Sequence, residues 1–276
     1  MLRLSESDRA MNLDNATILW NRQVGPSCYR IGFTTSSHYT FTTPGQFVML
    51  RFPKQTDPLL RRPFSIHRLI ESENGVLQGI ELLYKVVGHI TRRLSFCQPG
   101  DTLDVLGPLG RGFVIPAGSR RIYMAAGGIG VAPLMFLAAT LYKKKMDLSV
   151  CRMFLGGKSR TDILCEADFT ALNLPVCITT DDGSLGDQCL ITHPLEIYSR
   201  DQRPDIILAC GPTGMLSCVA GIAESLHIPC QVSLEATMAC GIGACLGCAV
   251  HGKHDNSRKL HVCMDGPVMD IHQIDL

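Results

Sequence analysis

Four cysteines near the C-terminus constrain this chain more than any other feature. Cys240, Cys245 and Cys248 are spaced C-x4-C-x2-C, and Cys263 follows after fourteen intervening residues. This is the plant-type spacing for a [2Fe–2S] cluster. Four thiolates must converge on two irons, so three of them come from one short, tightly wound loop. Gly241, Gly243 and Gly247 suit such a loop, because positive φ angles let the backbone curl and turn N–H groups toward the sulfurs. Four cysteines also hold Zn2+. Zinc sites usually use two short pairs, and only Cys245-x2-Cys248 is such a pair here. His251, His254 and His261 lie between the third and fourth cysteines. A Rieske-type centre would need histidines in place of cysteines, so a solvated hairpin is expected. A cluster moves one electron at a time, so the rest of the chain should supply a donor or an acceptor.

The 276 residues suffice for two compact domains and a small appendage. With 46% hydrophobic and 18% charged residues the chain reads as globular and well cored. A net charge of +1 argues against a nucleic-acid surface. Thirteen cysteines suggest a secreted disulfide scaffold only superficially. The number is odd, the chain is long and no signal peptide is evident. Cys151, Cys177, Cys210 and Cys218 sit in apolar runs, where a free thiol acts as a small hydrophobe. A reducing cytoplasm is expected. Ile122 to Tyr142 carries no charge, but Gly127, Gly128, Gly130 and Pro133 interrupt it. A strand, a turn and a helix are therefore expected there, and no membrane span.

Residues 1–115 read as an antiparallel β-barrel. Six short apolar runs (17–20, 29–33, 46–52, 64–66, 80–87 and 102–106) are separated by turn signals such as Pro44-Gly45, Asn74-Gly75 and Pro99-Gly100. Arg61-Arg-Pro-Phe-Ser-Ile66 places an arginine just before a strand, where it can fork onto a diphosphate, with Ser65 ready for a polar ring edge. Thr91, before the helical-looking 92–96, is expected to cap that helix and open an anion site. Each feature also has a bland reading, a solvated arginine pair and a structural cap.

Residues 116–230 change period. Strands at 121–126, 150–155, 175–180 and 205–209 end in Gly-rich or polar turns, with helices at 131–145 and 213–226, so a parallel sheet is expected. Such sheets bind ligands at the carboxyl ends of their strands. The turn Gly127-Gly-Ile-Gly130, followed by Pro133, lets backbone approach a diphosphate at a helix N-terminus. Asp181 and Asp182 suit ribose hydroxyls and favour NAD, whereas Lys158 and Arg160 suit a 2′-phosphate. Cys210 is a core residue or a thiol beside a nicotinamide. Residues 231–276 form the cysteine segment, which gives a mixed β and α/β chain of three parts.

The order of these marks resembles ferredoxin-reductase-type flavoproteins with a C-terminal [2Fe–2S] extension. It is most similar to the electron-transfer subunits of class 1B dihydroorotate dehydrogenases. The marks are Arg62-Pro-Phe-Ser65, Leu83-Tyr-Lys85, Ala126-Gly-Gly-Ile-Gly-Val-Ala-Pro133, Cys210-Gly-Pro212, Met238-Ala-Cys-Gly-Ile-Gly-Ala-Cys245 with Cys248, and Val262-Cys-Met-Asp-Gly-Pro267. The resemblance spans residues 16–276. It implies FAD against Arg62, Pro63, Phe64, Ser65, Leu83, Tyr84, Lys85, Ile90 and Thr91. It implies NAD against Gly127, Gly128, Gly130, Pro133, Asp182, Cys210, Gly211 and Pro212, and a [2Fe–2S] cluster on Cys240, Cys245, Cys248 and Cys263. Ile90 stands where the family has glycine, Lys85 where arginine is usual, and Cys189 where glycine is expected. The resemblance further implies an FMN-containing catalytic subunit as partner, two copies of each in a heterotetramer, and a place in pyrimidine biosynthesis. Related reductase subunits of ferredoxin:NADP oxidoreductase or sulfhydrogenase type share the same marks. No (β/α)8 domain fits in the chain, so dihydroorotate oxidation is expected to need the partner.

Overall fold

The barrel follows from alternation of buried and exposed residues. In the computed structural model, which describes residues 12–53, 59–253 and 257–276, β1 (Asn12–Gly25) turns Ala16 and Ile18 inward while the neighbouring Asn15 and Thr17 face out. It is joined by β2 (Cys28–Thr34), β3 (Phe47–Arg51), β4 (Arg62–Glu71), β5 (Leu77–Lys85) and β6 (Thr102–Leu109). All pairings are antiparallel, in the order β1-β2-β5-β4-β3-β6, and β6 closes on β1. Closure removes the open edges. Gly45, Gly75 and Gly100 adopt positive φ at the three expected turns.

Helix α1 spans His89–Leu94 and begins before the expected cap. Gly88 occupies the N-cap position and has no side chain to accept a hydrogen bond. Thr91 therefore sits inside the first turn, and its hydroxyl accepts the N–H groups of Val87 (2.9 Å) and Gly88 (3.0 Å).

The second part is a sheet in the order β14-β11-β10-β7-β8-β9. Its strands are β7 (Ile122–Gly127), β8 (Arg152–Gly157), β9 (Val176–Thr180), β10 (Ile206–Cys210), β11 (Cys230–Ser233) and β14 (Val268–Asp270). The first five are parallel, as the strand–turn–helix rhythm requires, and β14 is antiparallel to β11. Between them run α2 (Val131–Lys143), α3 (Glu166–Ala171), α4 (Thr192–Asp201) and α5 (Thr213–Ser225). The hairpin β12 (Ala249–His251) and β13 (Lys259–His261) stands apart. It carries two of the three histidines; His254 lies outside the described residues. The expected boundary at 231 falls within β11, and β14 comes from the cysteine segment, so that segment returns into the sheet.

The seam between barrel and sheet is apolar with polar pins. Phe136 of α2 packs into the barrel core. The fully buried His67 of β4 has Nδ1 3.3 Å from the carbonyl of Ala132 in α2. Burial and the charges of Arg30 and Arg68 push this imidazole down to about 3, so it stays neutral. Asp168 of α3 is clamped by two barrel arginines, Arg30 of β2 and Arg68 of β4. Lys85 of β5 meets Asp162 at 3.0 Å.

Asp168→Asn keeps the shape and removes the charge that both arginines share. About a quarter of the Asp168 side chain is exposed (24%), so the loss is expected at about 1–3 kcal/mol, below that of a fully buried pair. Burial pushes the Asp168 carboxyl up, but the hydrogen bonds and charges of Arg30 and Arg68 outweigh it and hold it below 3.8. A carboxylate lowered on folding contributes stability above its unfolded pKa and loses it as pH falls through the folded value. Urea melts at pH 7 should separate the two proteins, and the gap should shrink below about pH 4. An equal gap at pH 3 and pH 7 would contradict the clamp.

Candidate functional site

The cysteine loop curls as the glycines require, with one substitution of roles. Gly241 (φ 74°) and Gly243 (φ 78°) are left-handed, but the third such residue is Leu246 (φ 57°) and not Gly247. Gly247 instead passes close to a sulfur: its N–H points at Cys245 Sγ, 3.5 Å away. The N–H groups of Ile242 and Cys245 both reach Cys240 Sγ at 3.4 Å, and Gly243 N–H reaches Cys263 Sγ at 3.2 Å. Cys248 Sγ and Cys263 Sγ lie 3.3 Å apart. Burial raises the Cys240 thiol, but the N–H donors around it dominate and bring it down to about 7. Cys248 and Cys263 are buried, Cys240 is half-buried and Cys245 is exposed. Among the described residues, no three cysteine, histidine or carboxylate side chains surround one single-ion position. Cys248 and Cys263 form one close sulfur pair, and the inward-turned N–H groups suit anionic thiolates.

A cleft of about 490 Å³ opens where the barrel meets α2. Its barrel wall holds Arg62, Pro63, Phe64 and Ser65 of β4, with Leu83, Tyr84 and Lys85 of β5. Ile90 and Thr91 of α1 close one end, so all nine expected residues meet here. Ile90 is buried, and the open glycine position nearby is Gly88, where a Cβ would meet nothing within 4 Å. Tyr84 is fixed from behind: its hydroxyl donates to Asn21 at 3.1 Å and its ring stacks on Tyr29.

A second cleft, about 650 Å³, lies at the carboxyl ends of β7, β8, β9 and β10. Gly127, Gly128, Gly211 and Pro212 line it as expected. Gly128 has φ 52° and open space where a Cβ would stand, so its backbone faces the cleft directly. The other four expected residues do not line it: Gly130, Pro133 and Cys210 lie beneath the surface, and Asp182 is exposed beside the cleft. Gly130 packs against β10, where a Cβ would come within 2.3 Å of the Cys210 carbonyl oxygen. Pro133 is buried in the first turn of α2. Cys210 is buried, and that burial, with the nearby Glu235 charge, pushes its thiol up to about 12. Asp182 turns back to accept the Ser184 N–H at 2.9 Å, and Asp181 lines the cleft in its place. Lys158 also lines it, whereas the Arg160 guanidinium donates to the Ser184 carbonyl at 3.1 and 3.2 Å. Cys218, expected as core, is exposed on α5 and lines the cleft.

Lys85, Ile129 and Glu235 line both clefts, so the two share a wall. Sequence reasoning missed Glu235. Its signal was weak: it follows β11, at the carboxyl end of a parallel strand. The residue is exposed by area, yet its carboxyl sits in a concave wall, and that burial pushes it up. Met238 lines the barrel cleft two residues before Cys240 and so connects that cleft to the loop.

A closed barrel, a parallel nucleotide-type sheet, clefts that share a wall and a cysteine loop behind them define an oxidoreductase of ferredoxin-reductase type. Comparisons with known proteins agree. The chain aligns with a NADH-dependent reduced ferredoxin–NADP oxidoreductase structure at TM-score 0.79 and 26% identity, covering 96% of this chain and 91% of the other. A ferredoxin NADP+ reductase from Neisseria gonorrhoeae shares the fold at TM-score 0.64 and 17% identity, over 78% and 91%. Residues 124–221 match the oxidoreductase NAD-binding domain, and residues 235–275 match the iron-sulfur cluster binding domain of dihydroorotate dehydrogenase B. The dihydroorotate dehydrogenase B (NAD(+)) electron transfer subunit of Desulforamulus reducens is 38% identical over 94% of this chain and 97% of its own length. That of Listeria monocytogenes is 39% identical over 85% and 88%. The chain belongs to this family of electron transfer subunits. Among the described residues, no helix is long and apolar enough to cross a membrane.

Proposed function

We propose that this chain carries electrons from an FMN-containing catalytic subunit, which oxidises dihydroorotate, to NAD+, in an assembly of two copies of each subunit. The observation that carries the reading is the order of sites: Met238 joins the cysteine loop to the barrel cleft, and Lys85, Ile129 and Glu235 join that cleft to the sheet cleft. When bound, FAD exchanges a hydride with the nicotinamide and single electrons with the cluster, which fits it to the middle cleft. Arg62, in the wall of the middle cleft, suits its diphosphate, whereas the Val87 and Gly88 N–H groups before α1 are taken by the Thr91 hydroxyl. Gly127 and Gly128 offer backbone to the NAD diphosphate, and Gly211-Pro212 closes the opposite side. Cys210, held protonated, provides neutral volume behind the shared wall. Cys240, Cys245, Cys248 and Cys263 suit the four ligand positions of a [2Fe–2S] cluster. A chain that keeps four thiolates for a cluster suits a reducing cytoplasm.

Co-expression with a dihydroorotate dehydrogenase catalytic subunit from the same genome tests the assembly. A partner containing FMN should co-purify, and the pair should reduce NAD+ with dihydroorotate. The single chain should oxidise NADH with artificial acceptors only. Turnover of dihydroorotate by the purified single chain would defeat the reading, and a partner without FMN would favour the ferredoxin-linked relatives. Leu246 is 59% exposed beside the ligands and Ile242 and Met264 are exposed too. Leu246→Asp should therefore weaken co-purification while leaving iron content intact.

NAD is favoured over NADP because Asp181 faces the cleft and Arg160 is tied to Ser184, which leaves Lys158 as the one of the two expected 2′-phosphate partners that lines it. Asp181→Ser should raise the kcat/KM ratio of NADPH to NADH by about tenfold, the scale of removing one like-charge contact. An unchanged ratio would move the selectivity elsewhere.

A further inference from the structure

We infer that Met49 and Gly241 form the seat that fixes the distance between the flavin cleft and the cluster loop, which makes both of them positioning residues for electron transfer. The inference rests on the assignment of those two sites given above.

Met49 lies on β3, fully buried, with its Cα opposite Pro63 of β4; Phe47, on the same face of the strand, lies opposite Ser65. Phe47, Pro63 and Ser65 all line the barrel cleft. The far side of Met49 meets the cysteine loop. A Cβ on Gly241 would stand 2.6 Å from Met49 Cγ, 3.0 Å from its Sδ and 3.4 Å from Leu109 Cδ1. Gly241 directly follows Cys240 and holds φ at 74°. Phe47, Met49 and Leu109 of the barrel belong to one apolar cluster with Met238, Cys248 and Cys263. The barrel therefore touches the loop through packed side chains, with no side chain of the loop intervening at Gly241.

A second glycine seam fixes the same registry from the other side. A Cβ on Gly110 would stand 2.6 Å from Pro267 Cδ and 2.7 Å from the Gly266 carbonyl oxygen. Arg111 Nε donates to the Met264 carbonyl at 3.1 Å. With Gly110 and Arg111 holding the chain just after Cys263, the Gly241 seat is the point where a single methyl group would push the first ligand away from the barrel. Protein interiors transmit such a displacement because they are close-packed.

The test uses the full chain carrying FAD and cluster, with Gly241→Ala, Met49→Ala and the double variant. Wild-type protein lacking flavin or iron would fail the site assignment itself, before the seat is tested. In Gly241→Ala, electron transfer from NADH-reduced flavin to the cluster, followed by stopped flow, should slow by about tenfold or more, because displacements of about 1 Å far from chemistry have effects of that order. Reduction of flavin by NADH is the internal control. The magnetic relaxation of the reduced cluster, which reports the nearby flavin radical, should fall in parallel. Met49→Ala removes the two closest atoms that the new methyl would strike and leaves the backbone strain of alanine at φ 74°, so the double variant should recover part of both readouts. Wild-type rate and relaxation in Gly241→Ala would overturn the seat, as would a double variant with iron that is no better than Gly241→Ala. If Gly241→Ala takes up no iron, recovery of iron in the double variant supports the seat. If neither takes it up, Met49→Ala alone decides: slowed transfer supports the seat and an unchanged rate overturns it.

Discussion

Cys245→Ser is expected to abolish electron transfer to and from the partner while NADH still reduces the flavin. Cys245 is the exposed member of the four, so its replacement removes no core contact, unlike Cys248 or Cys263. Its sulfur accepts only the Gly247 N–H among the backbone donors described above. Serine keeps the size and offers a harder, less acidic ligand, which suits iron–sulfur chemistry poorly. Absorbance and paramagnetic signals of the cluster should be lost or altered, dihydroorotate-dependent NAD+ reduction by the complex should fall to background, and NADH–ferricyanide turnover should remain within about twofold, as for a site outside both clefts. Failure of NADH to reduce the flavin in a folded variant would show that the order of carriers is wrong.

Gly130→Ala is expected to be nearly as severe for a different reason. Gly130 has an ordinary helical φ of −59°, so backbone strain plays no part. The obstacle is space: the new methyl would lie 2.3 Å from the Cys210 oxygen, 2.6 Å from its carbonyl carbon and 2.8 Å from the Gly211 nitrogen. All three are backbone atoms of the β10 end and cannot rotate away. The start of α2 must lift off the sheet, at about 3 kcal/mol or more. The turns carrying Gly128 and Gly211 then part, and NADH-dependent flavin reduction should fall by about a hundredfold. Gly128→Ala is the control. Its methyl meets nothing within 4 Å but points into open cleft at φ 52°, so it should cost about 1 kcal/mol of stability and raise the KM for NADH. A Tm for Gly130→Ala equal to that of Gly128→Ala would refute the packing argument.

The features read correctly from sequence are those with short-range causes. Alternating runs and Pro-Gly turns announce the barrel, because each strand must bury one face. The switch to strand–glycine–helix units announces the parallel sheet. The nine residues expected at the barrel cleft stand in three contiguous motifs, and the fold brings them together there. What escaped depends on long-range placement. Gly130, Pro133 and Cys210 look like ligand contacts in sequence, yet all three are buried, and Gly130 packs the start of α2 against the end of β10. Asp181 and Asp182 are indistinguishable in sequence, and only the hydrogen bond to Ser184 turns one of them away. Asp168 gave no signal, since its partners Arg30 and Arg68 are about a hundred residues or more distant. Strand β14 has three residues, too few to show a period.

That short strand alters how the chain should be regarded as a piece of engineering. Because β14 pairs antiparallel with β11, with Ser233 opposite Val268 and Leu234 N–H bonded to the Pro267 carbonyl at 2.9 Å, the two strands already meet like the arms of a hairpin. Topologically the metal-binding segment is a long detour inserted between adjacent strands, and not a tail fastened to a finished reductase. Cutting the chain at 231 would split β11 and bare the β10 edge to pairing with other chains. Excising residues 235–266 and bridging the gap with a tight turn would leave the sheet whole, at the sacrifice of Glu235 and Met238. The same geometry gives a donor loop of this kind two fixed ends only a strand spacing apart, ready to be exchanged between reductases of this architecture.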